Sequence, residues 1–235
     1  MDASRAMSAL RILYRDAWII AVDKPADVIV HGDGTGTITL IDLLRNRLGD
    51  DAPAGQLQPL QRLDRETTGI VLFSACKDTQ ASFDRLIAER RISKRYLAIV
   101  AGRFPNQPQT YRGPLGRDRH DSRRMRVSRT GKPALTRARL LAYAASDRHG
   151  PARSLLAVDL LTGRKHQIRV HLSDAGFPLL GDELYGRRRA TGDAGLMLHA
   201  YEESFEHPVT GAHVHVRAPY PVRFEPLFPA SLKPL

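Results

Sequence analysis

The chain has 235 residues, 42% of them hydrophobic, enough to bury a core as one large domain or two small ones. Its 36 basic residues exceed its 25 acidic ones by 11, with a pI near 10.3, the footprint of a polyanion binder such as nucleic acid. Composition excludes disorder and collagen-like repeats, and no stretch approaches the roughly 18 apolar residues that a membrane-spanning helix needs.

In chain order, residues 12–14 and the continuous apolar run 18–22 read as strands, with residues 28–30 as a third after the Lys24-Pro25 break. Thr39 is placed to cap a helix whose apolar residues Ile41, Leu44 and Leu48 recur at spacings of three and four, ended by Gly49. A loop containing Pro and Gly over residues 50–59 leads into the stretch 60–70 and a buried strand at 70–73. Asp78 or Thr79 can cap a second helix, with Phe83, Leu86 and Ile87 on one face and Arg85, Arg90 and Arg91 on the exposed side. Residues 96–100 read as a strand stopped by Gly102, and the basic segment 105–133, with little apolar periodicity, as a mobile arm or hairpin. Strands are expected again at 134–142 and 154–161, then a helix within 166–176 with Ile168 and Leu172 inward, then strands at 196–200 and 213–217. Tight turns join many of these strands, which predicts an α+β fold.

Charge is unevenly placed: residues 112–139 hold ten Lys or Arg against two Asp, net +8, while residues 1–60 hold six basic against eight acidic. Nucleic acid is therefore the expected partner and the arm its expected seat. A single cysteine, Cys76, cannot form an internal disulfide, and the N-terminal stretch MDASRAMSALRILYRD lacks an apolar signal core, so a cytoplasmic protein is expected.

The stretch 60–70, Leu-Gln-Arg-Leu-Asp-Arg-Glu-Thr-Thr-Gly-Ile, sets Asp64 between the guanidinium groups of Arg62 and Arg65, on a loop feeding a buried strand. Nearby positive charge favours an ionised carboxylate, which suits Asp64 to be a base or nucleophile rather than an acid. Other motifs carry less. Gly32, Gly34 and Gly36 fit neither G-x-G-x-x-G nor the Gly-Lys-Thr ending of a phosphate loop. His166 and His171, five apart on the expected helix, face different ways, and His213 and His215 share a strand face without an evident third ligand, so no metal is expected. Asp64 and Glu66 are too close together to straddle a glycosidic bond as a glycosidase pair does. Aromatic content is 6% and no RNP1-like pattern is present, so nucleic acid is expected to be held by backbone charge, with one base in a pocket.

The segment Gln61-Arg62-Leu63-Asp64-Arg65-Glu66-Thr67-Thr68-Gly69 resembles the His-Arg-Leu-Asp-x-x-Thr-Ser-Gly segment of pseudouridine synthases of the RluA type. LYRDAWIIAVDKPADVIVH, ISKRYLAIVAG, GKPALTRARLL, LTGRKHQIRVHLSDAGFPLLGDELYG and LMLHAYEESFEHPVTG resemble successive blocks of the same family, in the same order, over nearly the whole chain. The resemblance implies the pseudouridine synthase fold, with a mixed, mainly antiparallel central sheet flanked by helices and loops. It implies a single catalytic domain over residues 1–235, with a basic arm or hairpin inserted at about 105–133. The implied activity is isomerisation of specific uridines in structured RNA, ribosomal or transfer, with neither cofactor nor metal. Asp64 is then similar to the family's catalytic aspartate, Tyr96 to the tyrosine that packs on the target base, and Arg169 to the arginine that pairs with that aspartate.

Arg62 is expected to fill the stack that a flipped base vacates, or to contact phosphate. Arg65, Lys94, Arg164, Lys165 and His166, together with Arg123, Arg124 and Arg126 of the arm, complete the expected RNA-binding set. Gln61 stands where the family has His, which removes a titratable group but keeps hydrogen-bonding capacity. About eleven residues precede the first strand, too few for the S4-type RNA-binding domain of some relatives, so RNA binding is expected from the catalytic domain itself, in a monomer without an obligatory protein partner. Two other classes share these features. One is a catalytically silent RNA-binding or ribosome-assembly factor on the same fold; the other is a glycosylase, which flips a base and acts at C1′ but releases it.

Overall fold

The apolar run expected at 18–22 supplies the first four residues of β2 (Ile19–Lys24), and they are all apolar because both faces of the strand are buried there. The computed structural model describes residues 7–32, 36–51, 56–148, 150–186 and 195–229. Gly34 of the glycine-bearing loop and residues 52–55 of the loop that leads to Asp64 lie outside the described residues. The chain divides into two units, residues 1–93 with 200–218 and residues 94–199 with 219–235.

In the first unit, β1 (Arg11–Arg15) pairs antiparallel with β2, and β2 with β4 (Thr68–Ser74), in register from Ile19 opposite Ser74 to Lys24 opposite Gly69. The short β3 (Gln58–Pro59) also pairs with β4, while β11 (Leu198–Glu206) lies next to β4 in the sheet and pairs antiparallel with β12 (His213–Arg217). Gly69 permits the close approach to β11: its φ is +106°, and a Cβ there would stand 2.1 Å from the Ala200 carbonyl oxygen. Successive residues of β2 serve opposite cores. Ile20 and Val22 pack with Val71, Phe73 and the leucines of α1 (Leu40–Leu48), while Ile19 and Ala21 pack with Ile70, Leu72 and Phe83 and Leu86 of α2 (Gln80–Ala88).

Thr39 caps α1 as expected, and Asp42 closes a capping box: the Asp42 N–H donates to Thr39 Oγ1, and the Thr39 N–H donates to the Asp42 carboxylate. The strand expected at 28–30 does not form. The Ile29 and Val30 carbonyls instead accept the N–H groups of Leu40 and Ile41 at 2.8 and 3.3 Å, so this segment serves the open N-terminus of α1 rather than a sheet. Neither Asp78 nor Thr79 caps α2 through its side chain, because a 3-10 turn, Lys77–Thr79, precedes the helix and Thr79 Oγ1 donates back to the Cys76 carbonyl.

In the second unit, β5 (Ser93–Ala101), β10 (Arg153–Leu160), β9 (Thr136–Ala144) and β6 (Gln109–Tyr111) follow one another, each pair antiparallel. The segment expected as a mobile arm or hairpin supplies the edge strand β6 and a hairpin of β7 (Leu115–Arg117) with β8 (Met125–Val127). The hairpin is docked: Leu115 is buried with Ala134, Val170 and Tyr185, and exchanges two backbone hydrogen bonds with Lys132. Strands of three residues are too short to write a period into the sequence. The expected helix, α3 (Gln167–Asp174), is buried from Gln167 to Leu172, not through Ile168 and Leu172 alone. Its polar residues can be buried because each has fixed partners. Gln167 bonds Thr162, Thr136 and the Leu135 carbonyl, and His171 lies between Thr136 Oγ1 and the Gly113 carbonyl.

His199 of β11 gives the fold a pH dependence. Burial, aided by the positive charge of Arg223 and opposed by a bond to the Pro219 carbonyl, pushes its imidazole from 6.5 down to about 3. The folded protein thus keeps His199 neutral where the unfolded chain would protonate it, so its contribution is complete above pH 6.5 and is lost as pH falls toward 3. His199→Gln is expected to decline less steeply in urea midpoint than the parent protein between pH 6.5 and 3. Parallel declines would assign the acid sensitivity to other groups.

Candidate active site

Asp64 is half-buried on the loop between β3 and β4, where its carbonyl accepts the Thr67 N–H at 3.1 Å. Two side-chain anchors hold this loop. Lys24, at the end of β2, has no solvent exposure, and its Nζ donates to the carbonyls of Pro25, Val28 and Arg65 at 2.8, 2.7 and 2.8 Å. The third of these bonds fixes the residue that follows Asp64. On the other side of Asp64, Gln61 Nε2 donates to Glu203 Oε1 at 2.7 Å, and Glu203, on β11, is 1% exposed. Gln61 therefore serves as an amide donor to a buried carboxyl, which gives the position a role that needs no titratable group. Arg62 and Arg65 are exposed.

Tyr96 and Arg169 belong to the second unit. Tyr96 lies on β5 opposite Val158 of β10 and is buried. Arg169 projects from α3, and its Nε and Nη2 donate to Asp182 Oδ2 and Oδ1, both at 2.8 Å, a two-bond fork that fixes the plane of the guanidinium. The same Asp182 carboxylate accepts the N–H groups of Leu184 and Tyr185 at 3.0 Å, so the turn over residues 182–186 winds around the group that holds Arg169.

The expected RNA-binding residues divide in two. Arg62, Arg65, Arg126 and Lys165 are exposed, and Lys94 is partly so. Four others are engaged within the protein. Arg123 is exposed, yet its Nε and Nη2 bond Asp121 at 3.0 and 2.8 Å, and this pairing, with the Arg123 backbone N–H, lowers the Asp121 carboxyl from 3.8 to about 2. Arg124 is half-buried with its guanidinium 5.2 Å from the centre of the Tyr185 ring. Arg164 Nε donates to the Pro133 carbonyl at 3.0 Å, and His166, at φ 57°, has Nδ1 2.8 Å from Tyr185 Oη.

Lys24, Glu203, Asp182 and Tyr185 escaped the sequence reading. The partners of the first two in the Asp64 loop are 41 and 142 residues distant, beyond any local pattern. Asp182 alone left a trace, as an Asp opening a turn that closes at Gly186. Among the described residues, no group of three or more His, Cys, Asp or Glu could hold a metal ion, and His215 bonds Glu202 at 2.6 Å instead. Among them, too, no helix is long and apolar enough to cross a membrane.

Residues 18–174 match the family model for RNA pseudouridylate synthases. The chain belongs to that family. It is 34% identical to an uncharacterized RNA pseudouridine synthase, YhcT, of Bacillus subtilis (strain 168), over 90% of this chain and 69% of that one. It is 35% identical to the ribosomal large subunit pseudouridine synthase D of Nitrosomonas europaea, over 90% of this chain and 62% of that one. Among solved structures it is similar to human RNA Pseudouridylate Synthase Domain Containing 1, with a TM-score of 0.79 and 29% identity, over 97% of this chain and 87% of that one. The pseudouridine synthase fold and an isomerase acting on RNA follow, and a catalytically silent binding factor is not favoured.

In this synthase the Gln61 bond is open to a direct check. Gln61→Ala leaves a buried carboxyl short of one donor, at a cost of about 1–3 kcal/mol. Urea denaturation is expected to show that loss, with Gln61→His recovering part of it; an unchanged midpoint in Gln61→Ala would mean that water replaces the amide without penalty.

Proposed function

We propose that this synthase isomerises uridines of large-subunit ribosomal RNA in the cytoplasm, as a monomer with one catalytic domain, using Asp64, Tyr96 and Arg169. The relative from Nitrosomonas europaea, named for the ribosomal large subunit, supports the substrate class. The observation that carries the catalytic assignment is the anchored loop: Lys24 and the Gln61–Glu203 bond hold the backbone on both sides of Asp64, which is how a reactive side chain is kept in place.

The reaction breaks the C1′–N1 bond of a uridine, turns the uracil and joins C1′ to C5; the hydrogen on C5 then leaves as a proton and N1 ends protonated, so the product is an isomer of the substrate. The Asp64 carboxylate serves as the nucleophile or base that opens the glycosidic bond. Arg169, its plane fixed by Asp182, is assigned the orienting of that carboxylate. Tyr96 packs against the base, and its hydroxyl is the candidate to take the C5 proton. Because the base leaves its stack at a cost of a few kcal/mol, a side chain must replace it, and the exposed Arg62 beside Asp64 is our candidate. The exposed cations of the hairpin seat the RNA backbone.

Asp64→Asn is expected to abolish tritium release from total RNA of cells lacking the gene, labelled with C5-tritiated uridine, while RNA affinity stays within severalfold. Retained turnover would overturn the mechanism. Mapping pseudouridine in the same RNA with and without the gene tests the substrate, and a site lost only from transfer RNA would overturn the ribosomal assignment.

The hairpin makes a separate prediction, because each phosphate contact adds roughly 0.7–0.9 to the log–log salt slope of binding. Arg126→Gln is expected to lower the slope by about one such contact. Arg123→Gln should lower it less, since its guanidinium is already paired with Asp121. An unchanged slope in Arg126→Gln would move the RNA off the hairpin.

A further inference from the structure

Two guanidinium groups from different elements stand over the Tyr185 ring: Arg124 of the hairpin, 5.2 Å from the ring centre, and Arg169 of α3, 5.3 Å from it. Such a ring is attracted to both cations, and more strongly where water is excluded. Tyr185 is 7% exposed. Arg124 Nε is buried without a hydrogen-bond partner, and its guanidinium rests against the ring.

The phenol joins the same two elements. Its Oη accepts the N–H of Met125, the first residue of β8, at 2.7 Å and lies 2.8 Å from Nδ1 of His166, the residue before α3. Burial raises the phenol above its ordinary value of 10.0, so it keeps its hydrogen at neutral pH, and with the Met125 N–H on one lone pair it can pair with either tautomer of His166. The Tyr185 backbone is fixed as well: its N–H bonds Asp182 Oδ1 at 3.0 Å and its carbonyl accepts Ser173 Oγ of α3 at 2.8 Å. The ring thus cannot follow the hairpin without disturbing Asp182 or Arg169.

We infer that Tyr185 is a positioning residue that couples the seating of RNA on the β7–β8 hairpin to the placement of Arg169. It touches the hairpin through Arg124 and the Met125 N–H, and the catalytic side through Arg169 and the Asp182 turn. A pull on the hairpin backbone reaches Arg169 through one rigid plate rather than through flexible side chains. The inference rests on the proposed roles of the hairpin and Arg169.

Steady-state kinetics on the tritiated total RNA, normalised to folded protein by circular dichroism, tests this. Tyr185→Phe keeps the ring and loses the hydroxyl, so KM is expected to rise about tenfold while kcat falls no more than about threefold. Tyr185→Leu also loses the ring, and kcat is expected to fall a further tenfold or more, about the scale of a buried cation–ring contact. Combining Tyr185→Phe with Arg126→Gln should raise KM by less than the product of the single effects, because both act on the hairpin. A structural role alone would lower the folded fraction and leave KM per folded molecule unchanged, and that result would overturn the coupling. Asp64→Asn run in parallel separates the two readings. Turnover in that variant defeats the catalytic assignment, whereas an inactive Asp64→Asn beside a Tyr185→Phe of unaltered KM defeats only the inference.

Discussion

A lysine without solvent exposure is tolerable only while its protons have acceptors, and Lys24 meets that condition with carbonyls from three places in the chain. One belongs to the break after β2, one to the segment that feeds α1, and one to Arg65 in the Asp64 loop. One side chain thus ties three stretches of irregular backbone together. The Asp64 loop has no regular structure of its own, and Lys24 is one of the two side chains that hold it, Gln61 being the other.

The second unit solves the corresponding problem with a carboxylate. Arg169 and Asp182 have side chains 3% and 0% exposed, a pair whose attraction has to offset the removal of two charges from water. The geometry helps: two short bonds join the partners, and Asp182 accepts two backbone N–H groups besides. Breaking such a pair by removing one partner typically costs about 3–5 kcal/mol, far more than the pair adds relative to apolar packing. Orientation is therefore the better account of its presence: the guanidinium can meet another group only in the plane that Asp182 allows.

Elements whose signal is local were legible in the sequence. β2, the α1 cap at Thr39 and the strand after Asp64 each owe their form to neighbours within a few residues. Where the deciding partner is far off, the reading failed. Residues 28–30 have the apolar, branched composition of a strand, yet they serve a helix end ten residues later. Ile168 and Leu172 alone were expected to face inward in α3, yet Gln167, Arg169 and His171 are buried too, and their burial depends on acceptors contributed by β9, the 182–186 turn and the Gly113 carbonyl. Gln61 was unexplained for the same reason, since its partner is on β11. The residues proposed for the chemistry come from the family resemblance, but their supports could not be named that way, because supports are chosen by the fold rather than by spacing.

The same division explains why net charge overstates the surface offered to RNA. Residues 112–139 carry a net +8, which invites the view of a loose cationic arm. A loose arm would lose its conformational freedom on binding, at about 1–2 kcal/mol for each residue ordered. Here part of the charge is used to order the hairpin beforehand: Arg123 closes a turn on Asp121, and Arg124 lies on the Tyr185 ring. The cations left over, Arg126 among them, are then presented from a framework already folded. On the proposed role of the hairpin, a preordered basic element needs fewer contacts than a flexible arm of the same charge, and its contacts fall at fixed positions.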